Sequence, residues 1–142
     1  MATVCVLGSL HYDILVDAPD RPRKGETIAG SAWRPKFGGK GGNQAVAAAR
    51  AGATTTMIGM VGADSFGALL VDNLARHGVD ASLVEVAPGV ASGMSVAIFD
   101  KDRDYGAVIV SGANLSLDAS VVQRTARWIT SSDVLVLQNE VS

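Results

Sequence analysis

Apolar residues run along this chain in two rhythms. Three short runs are almost unbroken: TVCVLGSL at 3–10, TTTMIGMVG at 54–62 and DVLVLQNE at 133–140. Runs of this length, rich in Val, Leu and other β-favouring residues, predict strands buried on both faces of a parallel sheet. Between them, apolar positions recur every three to four residues. In SFGALLVDNLARHG, residues Phe66, Leu69, Leu70 and Leu74 share one helical face, with Asp64 ahead as an N-cap and Gly78 as the stop. DASVVQRTARWI at 118–129 repeats the helical pattern, and the alanine-rich run predicts a helix from about Gly42 to Ala51, with Gly52 as its C′ residue. SLVEV at 82–86 predicts one more strand.

Two segments break the alternation of strand and helix. APDRPRKGE at 18–26 is a loop, and TIAGSAWRPKF at 27–37 reads as broken extended structure around Pro35. GMSVAIFDKDRDYGAVIVSG at 93–112 is two β runs about the polar tip DKDRD, a hairpin. The pieces at 11–37 and 93–111 are expected to pair as a small β flap over one edge of an α/β layered core. That core comprises about 1–10, 38–92 and 112–142 around a mainly parallel sheet.

Composition narrows the function. With 142 residues, 48% of them hydrophobic, the chain is one compact domain or a piece of one. A net charge of −2 leaves no basic footprint for nucleic acid or an anionic membrane. No apolar run approaches the roughly 18 residues of a membrane span, and the first residues lack the pattern of a signal peptide. The single cysteine, Cys5, supplies no disulfide or zinc framework and reads as a small core hydrophobe, so a reducing cytoplasm is expected.

The candidate chemistry lies in KFGGKGGNQAVAAARAGA at 36–53, which packs four glycines into five positions around Lys40 and follows them with Asn43. A phosphate-binding P-loop fails, because Lys40 is followed by Gly41 where a hydroxyl is needed. The dinucleotide pattern fails too: counted from Gly39 it ends on Gln44, and from Gly38 its second glycine is Lys40. Two readings stay open. The glycines permit positive φ or close helix–sheet packing. Alternatively they let a polyhydroxy ligand reach backbone N–H groups, with Lys40 and Asn43 adding a cation and an amide that both donates and accepts.

FGGKGGNQAVAAARAGA closely resembles the first signature of the ribokinase (PfkB) family of carbohydrate kinases. VLGSLHYDILV, PRKGETIAG, IGMVGADSFGALLVDNLARHGVD, VSGAN and LVLQNE also have counterparts there. The resemblance implies a three-layer ribokinase-like α/β fold with a mainly parallel sheet, its flap serving as a β lid. It implies that Asp13 binds two sugar hydroxyls, that Gly39, Lys40 and Asn43 close round the sugar, and that Glu140 bounds the far side. His11 stands where ribose-specific members usually carry asparagine, which leaves room for another sugar or a nucleoside. ATP and Mg2+ are the implied cofactors, with a monovalent cation left open. A small-molecule sugar and a second copy of the chain, joined through the β lid, are the implied partners. Taken alone, Asp13 reads as a solvated turn residue and Lys40 as a surface charge. Asp64 is a helix cap and no more; Trp33 and Trp128 pack, and Val96, Ile98, Val108 and Val110 belong to the core or a subunit interface.

The family's general base sits in a G-A-G-D motif, and no such string occurs; SGAN and VGAD come nearest, and the N-x-x-E element is missing. The expectation is therefore a truncated fold: the N-terminal, sugar-binding half of a sugar kinase, without a catalytic base or ATP-binding residues. A non-catalytic half that binds sugar or protein is the alternative, and a dinucleotide-binding protein is disfavoured.

Overall fold

The computed structural model describes residues 1–142. In chain order its strands are β1 (Thr3–Leu7), β2 (His11–Asp17), β3 (Ala32–Gly38), β4 (Thr54–Gly62), β5 (Val79–Ala87), β6 (Met94–Phe99), β7 (Tyr105–Val110) and β8 (Val134–Leu137). Its helices are α1 (Lys40–Arg50), α2 (Ser65–Arg76) and α3 (Ala119–Ser131), with a 3₁₀ turn at Gly112–Ser116.

Four strands form a parallel sheet in the order β5-β4-β1-β8. Both faces are covered along the central strands β1 and β4, which is why these two read as unbroken apolar runs. The apolar run at 133–140 predicts a strand buried on both faces, but β8 is an edge strand with Val134, Leu135 and Leu137 exposed, because no further strand or helix covers it. Cys5, Leu7, Ile58 and Met60 point one way, into a cluster with Ala113, Leu117 and Val121 from the 3₁₀ turn and α3. Val6, Met57 and Val61 point the other way, against Ala45 of α1 and Leu70 and Leu74 of α2. The result is three layers with one sheet between two helical coats. Cys5 is fully enclosed, and burial pushes its thiol pKa up, so it packs as a neutral hydrophobe.

Local chemistry sets the helix starts. Asp64 caps α2 by accepting from the Gly67 N–H at 2.8 Å, and Asp118 caps α3 through the N–H groups of Ser120 and Val121. Helix α1 has no side-chain cap. It begins at Lys40, two residues earlier than its alanines predict, because Gly39 turns the chain at φ 84° and the Gly42 N–H donates to the Ser9 carbonyl at 3.0 Å.

The two segments that broke the alternation pair with each other, forming a second sheet in the order β3-β2-β6-β7. Strands β2 and β6 run parallel, and the outer pairs run antiparallel. Pro35 is tolerated because β3 is an edge strand. The hairpin tip closes on Asp100, whose Oδ1 accepts from the N–H groups of Asp102 and Asp104.

Several details differ from the sequence expectations. The first strand stops at Leu7, since Gly8–Leu10 must turn off the sheet to launch β2. Strand β5 starts at Val79, earlier than the apolar run, and pairs with β4 through a bulge. Trp33 does not pack; it is 68% exposed on edge strand β3. Trp128 is half-buried, with the Arg127 guanidinium 3.8 Å above its ring. Val96 and Ile98 are half-buried, while Val108 and Val110 stand exposed.

Candidate functional site

The turn Gly8–Leu10, at the carboxyl end of β1, is locked from three directions. The Ser9 N–H donates to Gln138 Oε1 at 3.0 Å. Asn114 clamps Leu10, accepting its N–H at 2.8 Å on Oδ1 and donating from Nδ2 to its carbonyl and that of Ser111, both at 2.9 Å. The N-terminus of α1 presses on the same turn: a Cβ at Gly41 would lie 2.7 Å from backbone atoms of Gly8 and Ser9, and one at Gly39 would meet Ser9 and His11 as closely. Close packing thus accounts for Gly39 and Gly41. Gly38 makes room for the Asp13 carboxylate, with which any side chain would collide.

This packing places the polar residues. His11, Asp13, Gly39, Lys40, Asn43 and Glu140 line a single cleft of about 240 Å³, together with Ser95 and Ile109. All six candidates converge from three segments separated by up to 129 residues of sequence. Ser95 and Ile109 went unread because only strand register reveals them: Ser95 lies opposite Asp13, and Ile109 opposite Ser95. A larger groove of about 600 Å³ between α1 and α2 shares Asn43 but contains no carboxylate.

The cleft's charges are partly paired. Glu140 meets the Lys40 ammonium through Oε1 and accepts from Ser9 Oγ at 2.9 Å through Oε2. The Lys40 hydrogen bond, helped by Ser9, outweighs burial and holds the Glu140 carboxyl below the usual carboxylate range. Asp13 Oδ1 accepts from Ser95 Oγ at 2.6 Å. His11 is buried, and its Nε2 has no partner. Burial pushes its pKa down against the opposing pull of Glu140 and Asp13, with Lys40 adding to the downward push. Asp64 stands outside the cleft and works as a structural clamp. Burial opposes its charge, but hydrogen bonds from Ser92, Gly67 and Phe66 prevail and lower its pKa.

Chemically, the cleft offers two acceptor carboxylates, an ammonium, an amide, a hydroxyl and an imidazole around one small volume. That donor and acceptor set suits a ligand with several hydroxyls. Nowhere in the chain do three His, Cys, Asp or Glu side chains gather to hold a metal ion. No helix is long and apolar enough to cross a membrane.

Comparison with known proteins agrees. Ribokinase of Bacillus subtilis is 36% identical over 141 residues, covering 99% of this chain and 48% of its own length. The solved structure of ribokinase from Giardia lamblia superposes with a TM-score of 0.88 at 28% identity, over 99% of this chain and 42% of its own. That of Arabidopsis thaliana ribokinase, complexed with ribose and ATP, superposes with a TM-score of 0.87 at 27% identity, over 99% of this chain and 46% of its own. The chain spans about half the length of the relatives it matches. The profile described as pfkB family carbohydrate kinase matches residues 1–142. Sequence signature, layered fold and relatives agree: the chain belongs to the pfkB family of carbohydrate kinases.

Proposed function

We propose that this chain is the N-terminal, sugar-binding half of an ATP-dependent sugar kinase that moves the γ-phosphoryl group of ATP to a sugar hydroxyl. The observation that carries the reading is the convergence of His11, Asp13, Gly39, Lys40, Asn43 and Glu140 on one cleft. Asp13, fixed by Ser95, accepts from two neighbouring sugar hydroxyls. Lys40 and Asn43, carried by α1, close the loop side, and Glu140 bounds the far side. The second sheet, about 11–37 and 93–111, is the lid that keeps water from the reaction, and the remainder is the core. The bare apolar face holding Trp33, Val108 and Val110 is where a second copy packs, giving a homodimer through the lid.

ATP and Mg2+ do not fit the residues present here. Nothing in the cleft resembles a phosphate cradle, and no acidic cluster is poised for a divalent ion. The nucleotide site, the metal ligands and the general base belong to the rest of the protein, and this chain alone is inactive. A cytoplasmic protein is the reading that ATP as phosphoryl donor and the free Cys5 thiol support.

The test is ATP consumption by the complete protein across a panel of pentoses, hexoses and nucleosides. ADP formation that depends on at least one of these supports the reading. ADP formation with none of them refutes it.

A further inference from the structure

The groove of about 600 Å³ between α1 and α2 takes no part in the sugar reading, and its volume is that of a small-molecule site. Helix α1 leads into β4 and α2 into β5, and those strands are parallel, so the two helices run the same way. Their lining residues recur at the three- and four-residue steps of one helical face: Asn43, Val46 and Arg50 along α1, and Leu70, Asn73 and His77 along α2. From Asn43 to Arg50 the groove runs for about 10 Å, at about 1.5 Å per residue. Its floor is Leu10, Leu70 and Leu74, all fully buried. It lies over β4 and β5, away from the β8 edge of the sheet.

The groove is one-sided in charge. Arg50, the last residue of α1, and His77, the C-cap of α2, stand at one end, and Lys36 lines the other beside Asn43. No carboxylate lines it, and neither Arg50 nor Lys36 belongs to an ion pair within the chain. Asp72, beside Asn73 on α2, is already paired with Arg76. In a chain whose net charge is −2, a concave surface with uncompensated cations attracts an anion. We propose that this groove is a second ligand site, separate from the cleft, for a small amphipathic anion: a carboxylate or phosphate head held by Arg50, with an apolar body lying along Val46 over the leucine floor. A guanidinium receives either head through two parallel hydrogen bonds. The groove shares Asn43 with the cleft, so its ligand lies against the helix that also carries Lys40. The assignment stands independently of the sugar-kinase reading.

The test is an NMR titration of the complete protein, read at the backbone amide signals of Ala47 and Asn73, both in the groove. The probes are hexanoate, hexyl phosphate, hexanol and inorganic phosphate. Hexanoate or hexyl phosphate should shift both signals saturably, and the tighter of the two identifies the head as carboxylate or phosphate. Hexanol lacks the charge and inorganic phosphate lacks the body, so each should bind about tenfold more weakly, the factor of one charge-assisted hydrogen bond. Arg50→Glu reverses the charge, and Ala47→Phe fills the groove without touching it; both positions are exposed, so the fold tolerates the changes. Each variant should weaken the anion by about tenfold or more, read at Asn73. Undiminished binding in either variant overturns the proposal. So does hexanol or inorganic phosphate binding as firmly as the amphipathic anions, or the absence of a saturable shift with either anion. None of these results bears on the kinase reading, which sugar-dependent ATP consumption decides.

Discussion

Asn114→Ala probes the scaffold of the cleft far from its polar surface. Asn114 is fully buried and makes three hydrogen bonds, two of them to the N–H and C=O of Leu10, the residue before His11. Truncation removes every side-chain partner of that peptide pair. Each buried group left unpaired costs about 1–3 kcal/mol, so the expected loss is about 3–4 kcal/mol once partial relaxation is allowed. Against a typical domain stability of about 5–15 kcal/mol this is large. Urea unfolding followed by circular dichroism should show the midpoint falling by about 1.5–2 M with m unchanged, for an m of about 2 kcal/mol/M. Asn114→Asp adds a sign test. Its carboxylate still accepts from the Leu10 N–H but faces two carbonyl oxygens, so its pKa in the fold rises above the unfolded value of about 3.9. The variant should be at least as unstable as the alanine variant at neutral pH. It should recover as pH falls through that raised pKa, because the protonated acid can donate to one carbonyl. A loss below about 1 kcal/mol for Asn114→Ala, or a milder effect for Asn114→Asp at neutral pH, would refute the reasoning.

Other perturbations test the packing and electrostatics. Gly41→Ala places a Cβ against backbone of Gly8 and Ser9, which cannot swing aside; a stability loss of about 1–3 kcal/mol is expected on unfolding, with weaker sugar binding because Lys40 and Asn43 move with α1. Asp64→Ala removes the α2 cap and the carboxylate that holds Ser92, and thermal unfolding should report about 2–4 kcal/mol of destabilisation. His11 is neutral in the fold with a lowered pKa, so the unfolded chain takes up its proton first: stability should decline as pH drops below about 6.5 and level off below the folded pKa, a decline that His11→Asn should remove from urea-melt series. The isolated chain should associate in light scattering, since β8 leaves Val134, Leu135 and Leu137 exposed on a sheet edge; a clean monomer would contradict this.

Much of this architecture was legible in the sequence, for identifiable reasons. Strands buried on both faces have unbroken apolar runs, and α2 has both an amphipathic stripe and an Asp cap, so their positions followed from local pattern. The flap emerged because its pieces fitted no βαβ rhythm. Boundaries failed where tertiary contact overrides pattern: α1 starts at Lys40 because the Ser9 carbonyl receives the Gly42 N–H, and nothing near Lys40 in sequence announces Ser9. Sequence left two readings of the glycines open, ligand access and close packing; at Gly39 and Gly41 packing accounts for them, since both are spaces for the Gly8–His11 backbone. The six cleft residues came from family resemblance joined to residue chemistry. Ser95 and Ile109 needed the register of β2, β6 and β7, and Asn114 needed the fold itself, because a buried clamp and a loop asparagine look the same in sequence.

The central claim is that the cleft holds a carbohydrate through Asp13. Calorimetric titration of pentoses and hexoses into the complete protein, wild type beside Asp13→Asn, tests it most directly. The account predicts saturable binding of at least one sugar, weakened in the variant by about 1.5–3 kcal/mol, roughly ten- to hundredfold in Kd, as loss of charged hydrogen bonds does. Equal affinity in the two proteins, or no sugar binding in either, would contradict it.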